Sequence, residues 1–201
     1  MTSPLLTRCP WRGIDDPIYA RYHDEEWGVP LTDDRAIFEK LTLEAFQSGL
    51  SWLTILKKRE NFRRAFHDFD VKRIARYGEK DVARLMADAG IVRNKLKIEA
   101  TITNAKAALA LSKRQSLSSF IWGFIDGAPA QNNLKSYKDA PPSTELSKRI
   151  SKALKAEGFT FVGPTTVYAF MQSAGMVNDH LVSCHRYEVC RKLQLALKRP
   201  R

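Results

Sequence analysis

An all-α fold is predicted for this 201-residue chain from three observations. Apolar residues recur at spacings of three and four in one segment after another, the period of a helix with one buried face. Several of these segments close on a glycine, as helix C-termini often do. No stretch of useful length alternates apolar and polar residues as a half-buried strand would.

Taken in order, residues 1–8 read as a loose tail. Trp11 to Glu44 is acid-rich and dense in aromatics, with Trp11, Tyr19, Tyr22 and Trp27 close together. These rings suit either core anchors between short helices or the walls of a pocket for a flat ligand. Asp33 to about Gly49 is predicted as an amphipathic helix, with Ile37, Phe38, Leu41 and Ala45 on one stripe. A second helix runs from Ser51 to about Phe66 with Lys57, Lys58, Arg59, Arg63 and Arg64 largely outward, and a short one runs from Val71 to Tyr77. Glu79 to Ala89 forms the next, with Gly90 as its C′ residue, and another starts near Asn94 and reaches about Leu111. Ser118 to Ile125 is helical, and the polar, Pro/Gly-rich segment 127–142 is the longest loop. Ser143 or Thr144 caps a helix that Gly158 ends. FTFVGP is at most a single strand. Thr165 to Ala174 is helical, and Asn178 caps a last helix carrying His180 and Cys184.

Composition narrows the function classes. The chain buries a core without disulfide staples, and 44% hydrophobic residues are ordinary for a globular unit. Charge is the departure: 33 basic against 22 acidic residues give +11, which favours a polyanionic partner. The N-terminus lacks the long apolar core of a signal peptide, and FIWGFI (residues 120–125) is too short to span a bilayer. A cytoplasmic protein without membrane association is expected, so Cys9, Cys184 and Cys190 are thiols or metal ligands.

Three features carry chemistry. Glu44 falls on the apolar stripe of its helix, where a carboxylate is costly unless it has a partner or a task. His180 and Cys184, four apart, share a helical face, and with Cys9 and His23 they make a Cys₂His₂ set suited to zinc. Four protein ligands leave no open position, so such a site is structural; His185 and Cys190 are rival donors, and two unrelated pairs remain the alternative. The helix–glycine–helix segment at about 79–111 places Arg93, Lys95 and Lys97 where free N–H groups of the second helix point, an arrangement fit for phosphate. Any helical hairpin with a glycine turn shares that pattern.

These pieces resemble the 3-methyladenine DNA glycosylase I family of the helix-hairpin-helix group. The matching runs are CPW at Cys9, YHDEEWGVP from Tyr22, LEAFQSGLSW from Leu43, LKKREN from Leu56, DAGIVRNKLKI from Asp88, then FVG and FMQSAGMVNDH. They cover roughly residues 9 to 184. The resemblance implies a single helix-hairpin-helix unit over 1–201, its hairpin at about 79–111, with a zinc-linked terminal lobe from about 9–30 and 165–190. It places one structural zinc on Cys9, His23, His180 and Cys184. Glu44 becomes the pocket carboxylate, with Tyr22, Trp27, Trp52 and nearby Trp11 as aromatic walls, and Gly90, Arg93, Lys95 and Leu50 become the DNA contacts. The chain departs from the family pattern at Phe46, where a polar residue is usual.

The implied activity is release of N3-methyladenine from alkylated double-stranded DNA by a monomer that hydrolyses the N-glycosidic bond. Such a base is cationic and leaves as a neutral product, so recognition carries most of the catalysis. In agreement, 101–125 contains no Asp or Glu of the kind that assists water or the oxocarbenium ion in related enzymes. The base would be flipped out and stacked between rings. Two other classes compete. A zinc-stabilised nucleic-acid-binding module needs no buried Glu beside an aromatic pocket, and a zinc hydrolase needs an open three-ligand metal with a general base beside it.

Overall fold

The computed structural model describes residues 6–198 and Pro200, so the first five residues of the expected N-terminal tail lie outside it. Ten helices account for most of the described chain: α1 (Pro17–Glu25), α2 (Asp34–Gln47), α3 (Trp52–Ala65), α4 (Val71–Ile74), α5 (Glu79–Ala87), α6 (Lys95–Leu111), α7 (Leu117–Trp122), α8 (Glu145–Ala156), α9 (Pro164–Ser173) and α10 (Tyr187–Leu195). Their starts are written locally. Asp16, Asp33, Ser51, Asn94, Ser116 and Thr144 each accept a backbone N–H from the first turn of the helix they precede.

α2 is the central element. Every residue from Ile37 to Phe46 except Glu39 is buried, and the helix packs on α3, α6, α7 and α9. Phe46 is fully buried and meets Phe62 at 4.8 Å and Phe66 at 6.1 Å between ring centroids, so the departure from the family pattern sits in the main core. None of the described helices is long and apolar enough to cross a membrane.

The structure decides one open reading and corrects three local expectations. FTFVGP forms no strand; the sheet is instead a two-residue parallel pair, β1 (Ala130–Gln131) with β2 (Val177–Asn178), joining the long loop to the segment after α9. Residues 180–186 are turns, and the last helix begins at Tyr187, because the Asn178 side chain is spent elsewhere: its Oδ1 accepts from the His180 N–H and its Nδ2 donates to the Tyr187 carbonyl. Gly90 lies two residues beyond the C-cap Asp88 and is needed for close approach, since a Cβ there would lie 2.9 Å from Asp88 Oδ1 and 3.0 Å from Asn61 Nδ2. Lys97 turns inward and donates to the Phe46 and Ser48 carbonyls at 2.8 and 2.7 Å, capping the C-terminus of α2.

The acidic N-terminal segment also changes meaning. Asp16 pairs with Lys57, Glu26 with Arg59 and Glu39 with Arg63, so α3 spends much of its basic face on the acids of α1 and α2.

Candidate active site and metal cluster

α1, the turn after it, and α2 bring the aromatic-dense stretch and Glu44 together. Trp11, Tyr19, Tyr22, Trp27, Glu44, Gln47, Trp52, Tyr137, Ala169 and Gln172 line an open-mouthed cavity of about 170 Å³. Trp11 is the hub of its walls, edge-on to Trp27 at 4.7 Å and tilted against Tyr19 at 5.0 Å. The Trp11 indole N–H donates to the Tyr137 hydroxyl. Tyr22 and Trp52 meet at 5.5 Å. The Trp52 Nε1 is buried and has no partner among the described residues.

All four expected wall residues therefore share one cavity with Glu44. Tyr137, Gln47, Ala169 and Gln172 complete it and were not assigned to it from sequence, and Tyr19, one of the four rings that suited either core anchors or pocket walls, lines it as well. Tyr19 had a signal, since it lies three residues before Tyr22 and so on the same helical face. Tyr137 had none, because it arrives from the polar loop 127–142.

Glu44 is only 4% exposed. Burial pushes its carboxyl up to about 7, with the Lys40 charge and the Ser173 hydroxyl pulling the other way. Its field reaches the walls: the Tyr19 hydroxyl is pushed up to about 12, first by burial and then by Glu44. A carboxyl so placed exchanges its proton near neutrality and presents a strong acceptor when ionised.

Beside the cavity, Cys9, His23, His180 and Cys184 converge, all buried, with their ligand atoms within 4.8 Å of one another. Cys9 Sγ lies 3.6 Å from His180 Nδ1, and Cys184 Sγ lies 3.5 Å from both His180 Nδ1 and His23 Nε2. A tetrahedral ion with ordinary metal–sulfur and metal–nitrogen bonds requires S···N edges of about 3.6 Å, so the set fits a metal. Outer partners orient both imidazoles. His23 Nδ1 meets Asp24 Oδ1 at 2.7 Å and His180 Nε2 meets the Trp27 carbonyl at 3.0 Å, which turns His23 Nε2 and His180 Nδ1 toward the sulfurs; His23 Nε2 also accepts from the Cys9 N–H at 3.3 Å. Asp24 is itself held by Arg8. The Cys184 thiol is drawn down by hydrogen bonding from Cys9 and then from the two histidines, which readies it as a thiolate. The rivals are placed apart: His185 bonds the Thr7 carbonyl and faces Asp24, while Cys190 lies against the Trp27 carbonyl.

The expected DNA contacts lie on the surface. Arg93 and Lys95 are exposed at the entrance of α6, while Lys58 and Asn61 of α3 fix the turn by donating to its carbonyls at Ala89 and Gly90. Leu50, 40% exposed, projects from the turn between α2 and α3, next to cavity residues Gln47 and Trp52.

Comparison with known proteins agrees with this geometry. A family model described as methyladenine glycosylase matches residues 11–187. The DNA-3-methyladenine glycosylase of Haemophilus influenzae is 50% identical over 181 residues, spanning 90% of this chain and 97% of that protein. A crystal structure of a 3-methyladenine DNA glycosylase I superposes with a TM-score of 0.86 at 49% identity, covering 89% of this chain and 98% of that one. The Staphylococcus aureus enzyme, solved to explain 3-methyladenine recognition, gives 0.84 at 39% identity over 87% and 94% of the two chains. The chain belongs to the methyladenine glycosylase family, and with it to the hydrolases acting on N-glycosyl bonds.

Proposed function

We propose that this protein removes 3-methyladenine from alkylated double-stranded DNA, acting as a cytoplasmic monomer. The observation that carries the reading is a buried carboxylate, Glu44, in a small cavity walled by Tyr22, Trp27, Trp52 and Trp11. At about 170 Å³ the cavity is smaller than the sites of drug-sized ligands, which suits one flipped base rather than a nucleotide. A cationic base gains about 0.5–2 kcal/mol for each aromatic face it meets. Ionised Glu44 accepts from the amino edge of the adenine and favours the cationic base over the neutral one. Water then attacks C1′ as the base leaves neutral.

Zinc is the metal that suits two thiolates and two imidazoles in tetrahedral array. Bound there it is a structural tie with no open position, holding the Cys9 segment to the turn carrying His180 and Cys184.

The DNA backbone is assigned to the α5–α6 turn, with Arg93 and Lys95 beside Gly90, and Leu50 enters the duplex beside the cavity. A second helix pair offers similar chemistry. α9 opens at Gly163 with Pro164 at its first position and no side chain capping its N–H groups. Its far end carries Gln172 to the cavity. Asn104 of α6 bonds both the N–H and the carbonyl of Thr160, steadying that entrance.

The test is single-turnover release of free base from methylated duplex. Wild type should release 3-methyladenine, and Glu44→Gln should release it at least tenfold more slowly, since a hydrogen bond to a charged group contributes about 1.5–3 kcal/mol. Wild-type release by a folded Glu44→Gln protein would remove the assignment.

A further inference from the structure

The base cavity does not account for a buried cation beside it. Lys40 lies one helical turn before Glu44 on α2 and is 8% exposed. Its Nζ stands over two cavity walls, 4.8 Å from the Tyr22 ring centroid and 5.6 Å from that of Trp52. It does not line the base cavity. It lines a charged cleft of about 270 Å³, together with Glu26, Arg59 and Ser173.

A buried ammonium is retained only where something compensates its desolvation. Glu26 Oε2 lies 3.8 Å away, but Glu26 is already held by a two-pronged Arg59 contact at 2.6 and 2.9 Å. Glu26 is therefore a shared partner, and Lys40 has charge left over for Glu44. Other charged groups near the pair are Glu39 of α2, which is tied to Arg63 of α3. Tyr19 and Tyr22 of α1 and Tyr137 of the long loop present neutral hydroxyls, while α9 offers only Gln172 and Ser173. Of these groups, Lys40 is the cation placed to act on both the carboxylate and the walls.

We propose that Lys40 is a positioning residue for base release: its ammonium holds Glu44 as a carboxylate and braces the Tyr22 and Trp52 rings from outside the cavity. The consequence concerns selectivity. Glu44 buried without Lys40 takes up a proton and becomes a neutral acid, which no longer prefers a cationic base. Lys40 itself meets the substrate only through the two rings. The inference rests on the reading of Glu44 as base acceptor.

Single-turnover release of 3-methyladenine, corrected for spontaneous loss, is measured between pH 6 and 9 for wild type, Lys40→Met, Lys40→Arg and Glu44→Gln. In wild type the rate should rise with pH as Glu44 ionises near neutrality. Loss of one neighbouring charge should move that limb up by about one pH unit in Lys40→Met. Release at pH 6.5 then falls about eightfold and rejoins the wild-type rate at pH 9. Lys40→Arg should restore the limb. Lys40→Gln serves in place of Lys40→Met if the latter does not fold. A loss equal at every pH, or an unmoved limb, would show Lys40 to be packing alone. Full release by Glu44→Gln removes the reading of the carboxylate itself, whereas a slow Glu44→Gln beside an unmoved limb removes only the role of Lys40.

Discussion

His180 Nε2 meets the carbonyl oxygen of Trp27 at 3.0 Å, and the two rings pack edge to face with centroids 4.5 Å apart. A member of the Cys₂His₂ group thus holds a wall of the cavity that contains Glu44. The cluster and the cavity are one mechanical unit, built where the Cys9 segment meets the turn carrying His180 and Cys184.

Metal removal should therefore loosen base recognition as well as the termini. Stripping the ion with a chelator, or replacing Cys184 by Ala, is expected to cost more than about 2 kcal/mol of stability. Weaker quenching of tryptophan fluorescence by free 3-methyladenine should accompany it. Metal analysis, a thermal melt and that titration on the same samples check both. A fully folded protein with no stoichiometric metal contradicts the prediction.

The two helix pairs separate by salt dependence. Changing Arg93 and Lys95 to Ala should weaken binding to damaged and undamaged duplex alike. The slope of log K against log salt should flatten by about 2 if each side chain neutralises one phosphate. Unchanged affinity for undamaged DNA would make the α5–α6 turn a packing element and leave the backbone to the entrance of α9.

Glu44 should lower stability above neutral pH. The folded protein keeps this proton up to about pH 7, whereas an ordinary Glu releases it near 4.5. Between those values the folded state binds more protons than the unfolded chain, so stability falls as pH rises through the window. The penalty reaches about 3 kcal/mol above pH 7. Glu44→Gln should thus gain stability relative to wild type on going from pH 5 to pH 8 in urea titrations, while losing base release. A constant gap would mean that the carboxylate is ionised throughout.

Gly175 is a packing requirement. It has φ +70°, and an added Cβ would lie 2.5 Å from Pro30 N and 2.6 Å from the Val29 carbonyl carbon. These backbone atoms cannot give way without moving the segment that carries Trp27. Gly175→Ala should cost at least about 3 kcal/mol, combining left-handed strain with overpacking. Gly49→Ala is the control: φ is +82° but nothing lies within 4 Å, and the expected cost is about 1 kcal/mol. Equal midpoints in urea for the two variants would contradict the argument.

What the sequence determined by itself is local, or chemically rare enough to stand out. Helix positions follow from apolar spacing and from caps such as Asp33, Asn94 and Thr144, which act within three residues. Glu44 was legible because a carboxylate on an apolar stripe has few explanations. The four candidate metal donors were legible because Cys and His are scarce in this chain. Only the tertiary structure decided which charges are spent internally. Lys97 looks like part of a phosphate grip in sequence, yet it caps α2 across 51 residues of chain. Arg59 looks solvated, yet it holds Glu26. Lys40 carries no signal in the sequence, yet it lies against Tyr22 and Trp52. Periodicity assigns a residue to a helical face, but the partner a charge finds there depends on which distant segments pack against it.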